Sequence, residues 1–169
     1  FLRERGYTTF TVHADPSYMY SRWQVYQYLH IDRPIWLYEQ RGVPFDIALR
    51  FPADRALVDA IIDISQNHRR FFVFAFPNST HTPYDYDQYL DSDLDVRDPM
   101  SEPARKELKT YVNALRTADR ALGKLLDHFR REGIDALVAV GGDGTLTIDH
   151  ELHRNELRVI GVPKTIDND

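Results

Sequence analysis

The chain has 169 residues, 43% of them apolar and 28% charged, with a net charge of −5 at neutral pH and no cysteine. This is the composition of an ordinary globular domain; it excludes disulfides, zinc–thiolate sites and thiol catalysis, and no run approaches the roughly 18 apolar residues that span a bilayer. Residues 1–131 carry 18 acidic and 18 basic side chains and residues 132–169 carry 8 and 3, so the balance gives no reason to expect nucleic acid and steps near residue 131. The length fits one domain or two incomplete ones. Beginning at Phe1 and ending at Asp169, with no signal peptide visible, the chain is expected to be part of something longer.

The β-branched and aromatic stretch Thr8–His13 predicts a short strand. Asp15-Pro16-Ser17 is a start signal for a helix over Tyr18–Leu29. Leu57, Val58, Ile61, Ile62 and Ser65 keep helical spacing and predict a helix over Asp54–Asn67, with Asp54 as cap. Phe71–Phe76 is a continuous apolar run, expected to be a strand buried on both faces. Pro77–Pro99 is a polar loop rich in tyrosine and aspartate. Asp85, Asp87, Asp91, Asp93, Asp95 and Asp98 lack the glycine and terminal glutamate of a calcium loop and read as a solvated acidic surface. Ser101 and Pro103 open the clearest helix. Leu108, Tyr111, Val112, Leu115, Ala118, Leu122, Leu125, Leu126 and Phe129 form its apolar stripe, and Gly133 ends it. A buried strand over Ala136–Val140, a tight loop at Gly141–Thr145, a helix over Leu146–His153 and a strand over Val159–Val162 make one βαβ unit.

Gly141-Gly142-Asp143-Gly144-Thr145 stands where a strand feeds a helix. Glycines there let backbone N–H groups approach a phosphate, and Asp143 makes chemical sense with Mg²⁺ between it and that phosphate. A glycine-rich turn with a solvated aspartate is the other reading of these residues alone. Pro163-Lys164-Thr165-Ile166-Asp167-Asn168-Asp169 follows the next strand, and in a parallel sheet both loops lie at the carboxyl ends of their strands. GGDGT with PKTIDND, their aspartates 24 residues apart, resembles 6-phosphofructokinase over residues 132–169. The resemblance implies that Gly141, Gly142 and Gly144, with Thr145, line the donor phosphates and that Asp143 holds Mg²⁺. It implies Asp167 as the base for the sugar 1-hydroxyl, Thr165 on the fructose 6-phosphate side, Asp169 as support and Lys164 as a cation for the moving phosphoryl group. Within that family a glycine at the position of Gly144 goes with ATP rather than pyrophosphate and a lysine at that of Lys164 occurs with both, so the resemblance implies ATP more than pyrophosphate as donor. The family's N-terminal glycine loop, sugar-phosphate arginines and second lobe have no counterpart in these residues.

Upstream the pattern is different. His13-Ala14-Asp15, Tyr20-Ser21-Arg22, Tyr26, Ser79–Tyr84 around His81, and Tyr111, Asp119 and Gly123 together resemble the sulfatase-like enzymes of the alkaline phosphatase superfamily. They look like the lipoteichoic acid synthase type, which transfers glycerol phosphate. The resemblance covers about residues 1–130 and implies that Asp15, Tyr20, Arg22 and His81 contact a substrate head group. Arg22 suits a phosphate through two parallel hydrogen bonds, His81 suits a phosphoryl oxygen or leaving group, and Asp15 suits orienting Arg22 or binding a sugar hydroxyl. Each also has an ordinary reading: His13 as a satisfied strand end, Arg22 as a surface residue of an amphipathic helix, His81 as an idle loop histidine. Asp119 is assigned to helix packing. The family's nucleophile and first divalent-metal carboxylates would lie upstream of Phe1, and GGDGT stands where its Ser-Asp-His-Gly metal motif would follow. Gly142-Asp143-Gly144 is no degenerate form of that motif, because no histidine follows Asp143.

The expectation is an α/β fold with a mixed or mainly parallel sheet flanked by helices, both parent folds incomplete, with a sulfatase-like part over 1–131 and a phosphofructokinase-like part over 132–169. The expected functions are phosphoglycerol transfer or phosphate or sulfate ester hydrolysis, and Mg²⁺-dependent phosphoryl transfer to fructose 6-phosphate. The alternative is a non-catalytic α/β fragment, or a chimeric join without activity of its own. The expected partners are small phosphate substrates. A membrane enters only through absent parts of the sulfatase-like parent, and the oligomeric state is open. Localisation is open too: cytoplasmic for one resemblance, membrane-anchored and extracytoplasmic for the other.

Overall fold

The computed structural model describes residues 1–40, 54–77, 101–141, 143–154 and 157–163, with the side chains of 141–148 and 163 outside the description. The chain divides into two units, Phe1–Leu125 and Leu126–Asp169. Among the described residues every strand pairing is parallel, as an α/β fold requires.

In the first unit β1 (Thr8–His13) lies between β2 (Arg33–Trp36) and β3 (Phe71–Phe76). The register sets His13 beside Trp36 on one side and Phe76 on the other. Paired residues of parallel strands share a face, so Thr9, Thr11 and His13 lie with Phe72, Phe74 and Phe76. β1 is buried from Thr9 onward, as a central strand should be. β3 departs from the expectation of burial on both faces: Phe72, Phe74 and Phe76 remain half exposed. In the described sheet β3 is an outer strand, paired on one side.

The sequence reading missed β2. Pro34 argues against a strand, but β2 is an edge, where a missing N–H is tolerated. Its start is tied to β1 through Asp32. That carboxylate accepts the Thr9 N–H at 2.9 Å and the Thr9 hydroxyl at 2.8 Å, and pairs with Arg3 at 2.7 Å. These Thr9 hydrogen bonds first, and the arginine charges after them, hold Asp32 below the usual carboxylate range.

α2 (Asp54–Asn67) forms over the expected residues and packs on β1 and β3 with Leu57, Val58, Ile61 and Ile64 buried. The helix expected over Tyr18–Leu29 is shorter. A 3₁₀ turn covers Met19–Ser21, and α1 runs only Arg22–Tyr28. Tyr20 and Ser21 are both left-handed, with φ of 55° and 51°, which breaks the helix before Arg22. Before that turn the Ser17 N–H donates to Glu39 Oε1 at 2.9 Å.

α3 (Glu102–Glu132) ends at Gly133, whose φ of +66° suits glycine. Its buried line is rotated from the predicted stripe. Thr110, Asn113, Ala114, Ala121, Leu125, Leu126 and His128 are buried, whereas Leu115 and Leu122 are exposed. Asp119, assigned to packing, is exposed.

In the second unit β4 (Leu137–Gly141), α4 (Asp143–Arg154) and β5 (Val159–Pro163) form the expected parallel βαβ unit, with α4 against both strands. The first strand is not buried as expected: Val138 and Val140 are exposed, in a sheet of two described strands. The glycine loop is tighter than predicted. Gly141 ends β4, and Asp143, Gly144 and Thr145 already belong to the first turn of α4.

Candidate functional site

The candidate site lies at the carboxyl end of β1, where parallel sheets bind ligands. The last strand residue, His13, is fully buried. Its ring stacks on Trp36 at 5.1 Å and on Tyr26 at 5.3 Å, with Phe76 at 6.3 Å. Two residues on, Asp15 pairs with Arg22, and both side chains are largely covered. Arg22 Nη1 also lies 3.3 Å from His13 Nδ1, and Tyr26 Oη lies 2.5 Å from His13 Nε2. Arg22 and Tyr26 are four apart on α1, so one helical face presents both to the strand end. The guanidinium lies 5.2 Å from the ring centres of both Tyr20 and Phe76.

The electrostatics follow from this enclosure. Burial first, and the Arg22 charge second, hold His13 down to about 4 against an upward pull from Asp15. His13 is therefore neutral at pH 7. Burial likewise pushes the Tyr26 hydroxyl above its ordinary value.

Of the predicted head-group residues, Asp15 and Arg22 come together. Tyr20 stands beside them as an exposed residue. His81, Gly142, Lys164, Thr165, Asp167 and Asp169 lie outside the described residues. For Gly141, Asp143, Gly144 and Thr145 the backbone alone is described, at the β4–α4 junction. Sequence reasoning missed His13 and Tyr26 as members of the site, although both stand in the quoted motif. The four-residue step from Arg22 to Tyr26 was the available signal.

The described residues do not fit a divalent metal. No group of three or more histidine, cysteine or carboxylate side chains gathers among them, and the carboxylate at this site, Asp15, is engaged by a guanidinium that would repel a cation.

The sulfatase family model matches residues 1–155. The chain belongs to the sulfatase family. A putative cyclic β-1,2-glucan modification protein of Rhizobium meliloti is 25% identical over 149 residues, 85% of this chain and 22% of that protein. The lipoteichoic acid synthase LtaP of Listeria monocytogenes has a similar structure, with a TM-score of 0.60 at 22% identity over 79% of this chain and 32% of that one. The C-terminal periplasmic domain of EcEptC from Escherichia coli, in complex with zinc, gives 0.57 at 16% identity over 77% and 37%. These two structures show that the chain shares their fold. A second likeness is short and close. ATP-dependent 6-phosphofructokinase 2 of Clostridium perfringens is 57% identical over 44 residues, 26% of this chain and 12% of that enzyme. The Mycobacterium leprae 6-phosphofructokinase is 60% identical over 37 residues, 22% and 11%. The chain thus spans between about a tenth and a quarter of the curated relatives it matches. Among the described residues no helix is long and apolar enough to cross a membrane.

Proposed function

We propose that residues 1–131 supply the head-group pocket of a sulfatase-family phosphoester transferase or hydrolase, with a glycerol phosphate type of substrate. The observation that supports it is the buried Asp15–Arg22–His13–Tyr26 cluster at the carboxyl end of parallel strands. Arg22 is oriented by Asp15 and His13 through Nη1, and the rest of its fork offers parallel N–H donors to two phosphate oxygens. Tyr20, exposed beside the guanidinium, closes one side of the bound head group. His81 would donate to a phosphoryl oxygen or to the leaving group. The Arg22 side chain is largely covered, which strengthens each charge-assisted bond. The lipoteichoic acid synthase and periplasmic neighbours favour an extracytoplasmic setting.

Titration of the 169-residue chain with glycerol phosphate, followed by NMR, tests this reading. Arg22→Lys keeps the charge but loses the fork, and should weaken binding roughly tenfold or more. Equal affinity in wild type and Arg22→Lys would refute the pocket.

The phosphofructokinase likeness favours a second assignment, for residues 132–169. In that reading the β4–α4 junction cradles nucleotide phosphates, with ATP rather than pyrophosphate as donor, and Asp143 holds Mg²⁺. Asp167 serves as base, with Lys164, Thr165 and Asp169 on the sugar-phosphate side. The chain then joins parts of two phosphoryl-handling enzymes near residues 130–133.

A further inference from the structure

His13 offers two ring nitrogens, and their partners fix what each must be. A guanidinium only donates, so the Nδ1 that faces Arg22 is the bare acceptor. The neutral ring then carries its hydrogen on Nε2, and Tyr26 Oη receives it. Tyr26 is itself buried and packs its ring 5.7 Å from Trp36, which also stacks on His13. The imidazole is thus clamped at one nitrogen by Tyr26 and faces Arg22 with the other. Among the described residues, the charged or titratable groups facing it are Arg22 and Tyr26 of α1 and Asp15 after β1, while β2 and β3 bring Trp36, Phe74 and Phe76.

We propose that Tyr26 is a positioning residue: by accepting Nε2–H it holds the His13 ring with Nδ1 toward Arg22, so that His13 and Asp15 together fix the guanidinium in one pose for an anionic ligand. His13 acts here as a neutral post rather than as a proton donor to substrate. The inference rests on the reading of Arg22 as a phosphate grip.

The test is a double-mutant cycle in the 169-residue chain, with inorganic phosphate as probe. Tyr26→Phe preserves the ring packed against Trp36 and removes only the oxygen. Alone it should weaken phosphate binding about three- to tenfold, the worth of one hydrogen bond. In an Arg22→Lys background it should cost almost nothing further, because the fork it positions is gone. His13→Asn reads the same pair from its other end and should show the same non-additivity. Undiminished affinity in Tyr26→Phe, or an equal loss in both backgrounds, overturns the proposal. If wild type binds no phosphate, the reading of Arg22 as a phosphate grip fails by itself. NMR then decides the positioning role: a hydrogen-bonded Nε2–H signal of His13 and an ordered Arg22 guanidinium in wild type, both lost in Tyr26→Phe, support it. Their survival in Tyr26→Phe overturns it.

Discussion

At the scale of single residues, His13 makes stability depend on pH. Its folded value of about 4 lies below the ordinary 6.5, so between those limits the unfolded chain binds the proton and the folded chain does not. The contribution is complete above pH 6.5 and is lost as the pH falls toward 4. It is at most about 3 kcal/mol, because each pH unit between the two values is worth roughly 1.4 kcal/mol. Urea unfolding at pH 7 and pH 4.5 should show a fall in stability in wild type that is smaller in His13→Asn. An equal fall in both would assign the effect to carboxylates. The sequence displayed Asp15 and Arg22 as partners because a carboxylate and a fork seven residues apart suit a turn from strand to helix. It did not display the depth of His13. A histidine closing a strand reads the same whether it faces water or, as here, three aromatic rings brought from α1, β2 and β3.

At the scale of elements, α2, β1 and β3 were legible because each carries one unambiguous period or one uninterrupted β-rich run. α3 was legible in extent and misread in rotation. Counting large apolar residues selected Leu115 and Leu122, but its buried line also takes the small residues Ala114 and Ala121 and the polar Thr110 and Asn113. Small side chains allow close approach of a neighbouring element, a tertiary fact that hydropathy does not encode. Gly123 sits inside this helix, and a Cβ there would meet nothing within 4 Å. Gly123→Ala should therefore stabilise the chain by about 0.5–1 kcal/mol through lost backbone freedom in the unfolded state. A raised urea midpoint with an unchanged slope is the expected result; a lowered midpoint would mean that α3 is more closely packed at this point. α1 was misread at its start because Tyr20 and Ser21 take left-handed backbone, which neither residue advertises.

At the scale of the whole molecule, the sulfatase match extends to residue 155 although the phosphofructokinase-like motif begins near 132. A physical reason is available: a parallel strand followed by a helix, which β4 and α4 supply, is a unit common to many α/β folds. The fold class was therefore legible while the allegiance of this stretch was not. If the two parts are joined near residue 131, single-molecule reads of the source DNA across codons 110–150 should separate there. One uninterrupted frame in every read, with complete motifs on both flanks, would instead make a bifunctional enzyme the right description. The glycine and acidic signatures were legible as motifs because each is contiguous in the sequence. Their completion was not, because catalytic constellations are assembled from distant segments.

The stacking of Trp36 on His13 carries one more consequence. A protonated imidazole quenches a neighbouring indole, whereas a neutral one does so weakly. The chain has two tryptophans, and the other, Trp23, is partly exposed on α1. With Trp23 replaced by phenylalanine, the emission intensity of Trp36 becomes an optical gauge of the charge on His13, read inside the folded protein without any added dye.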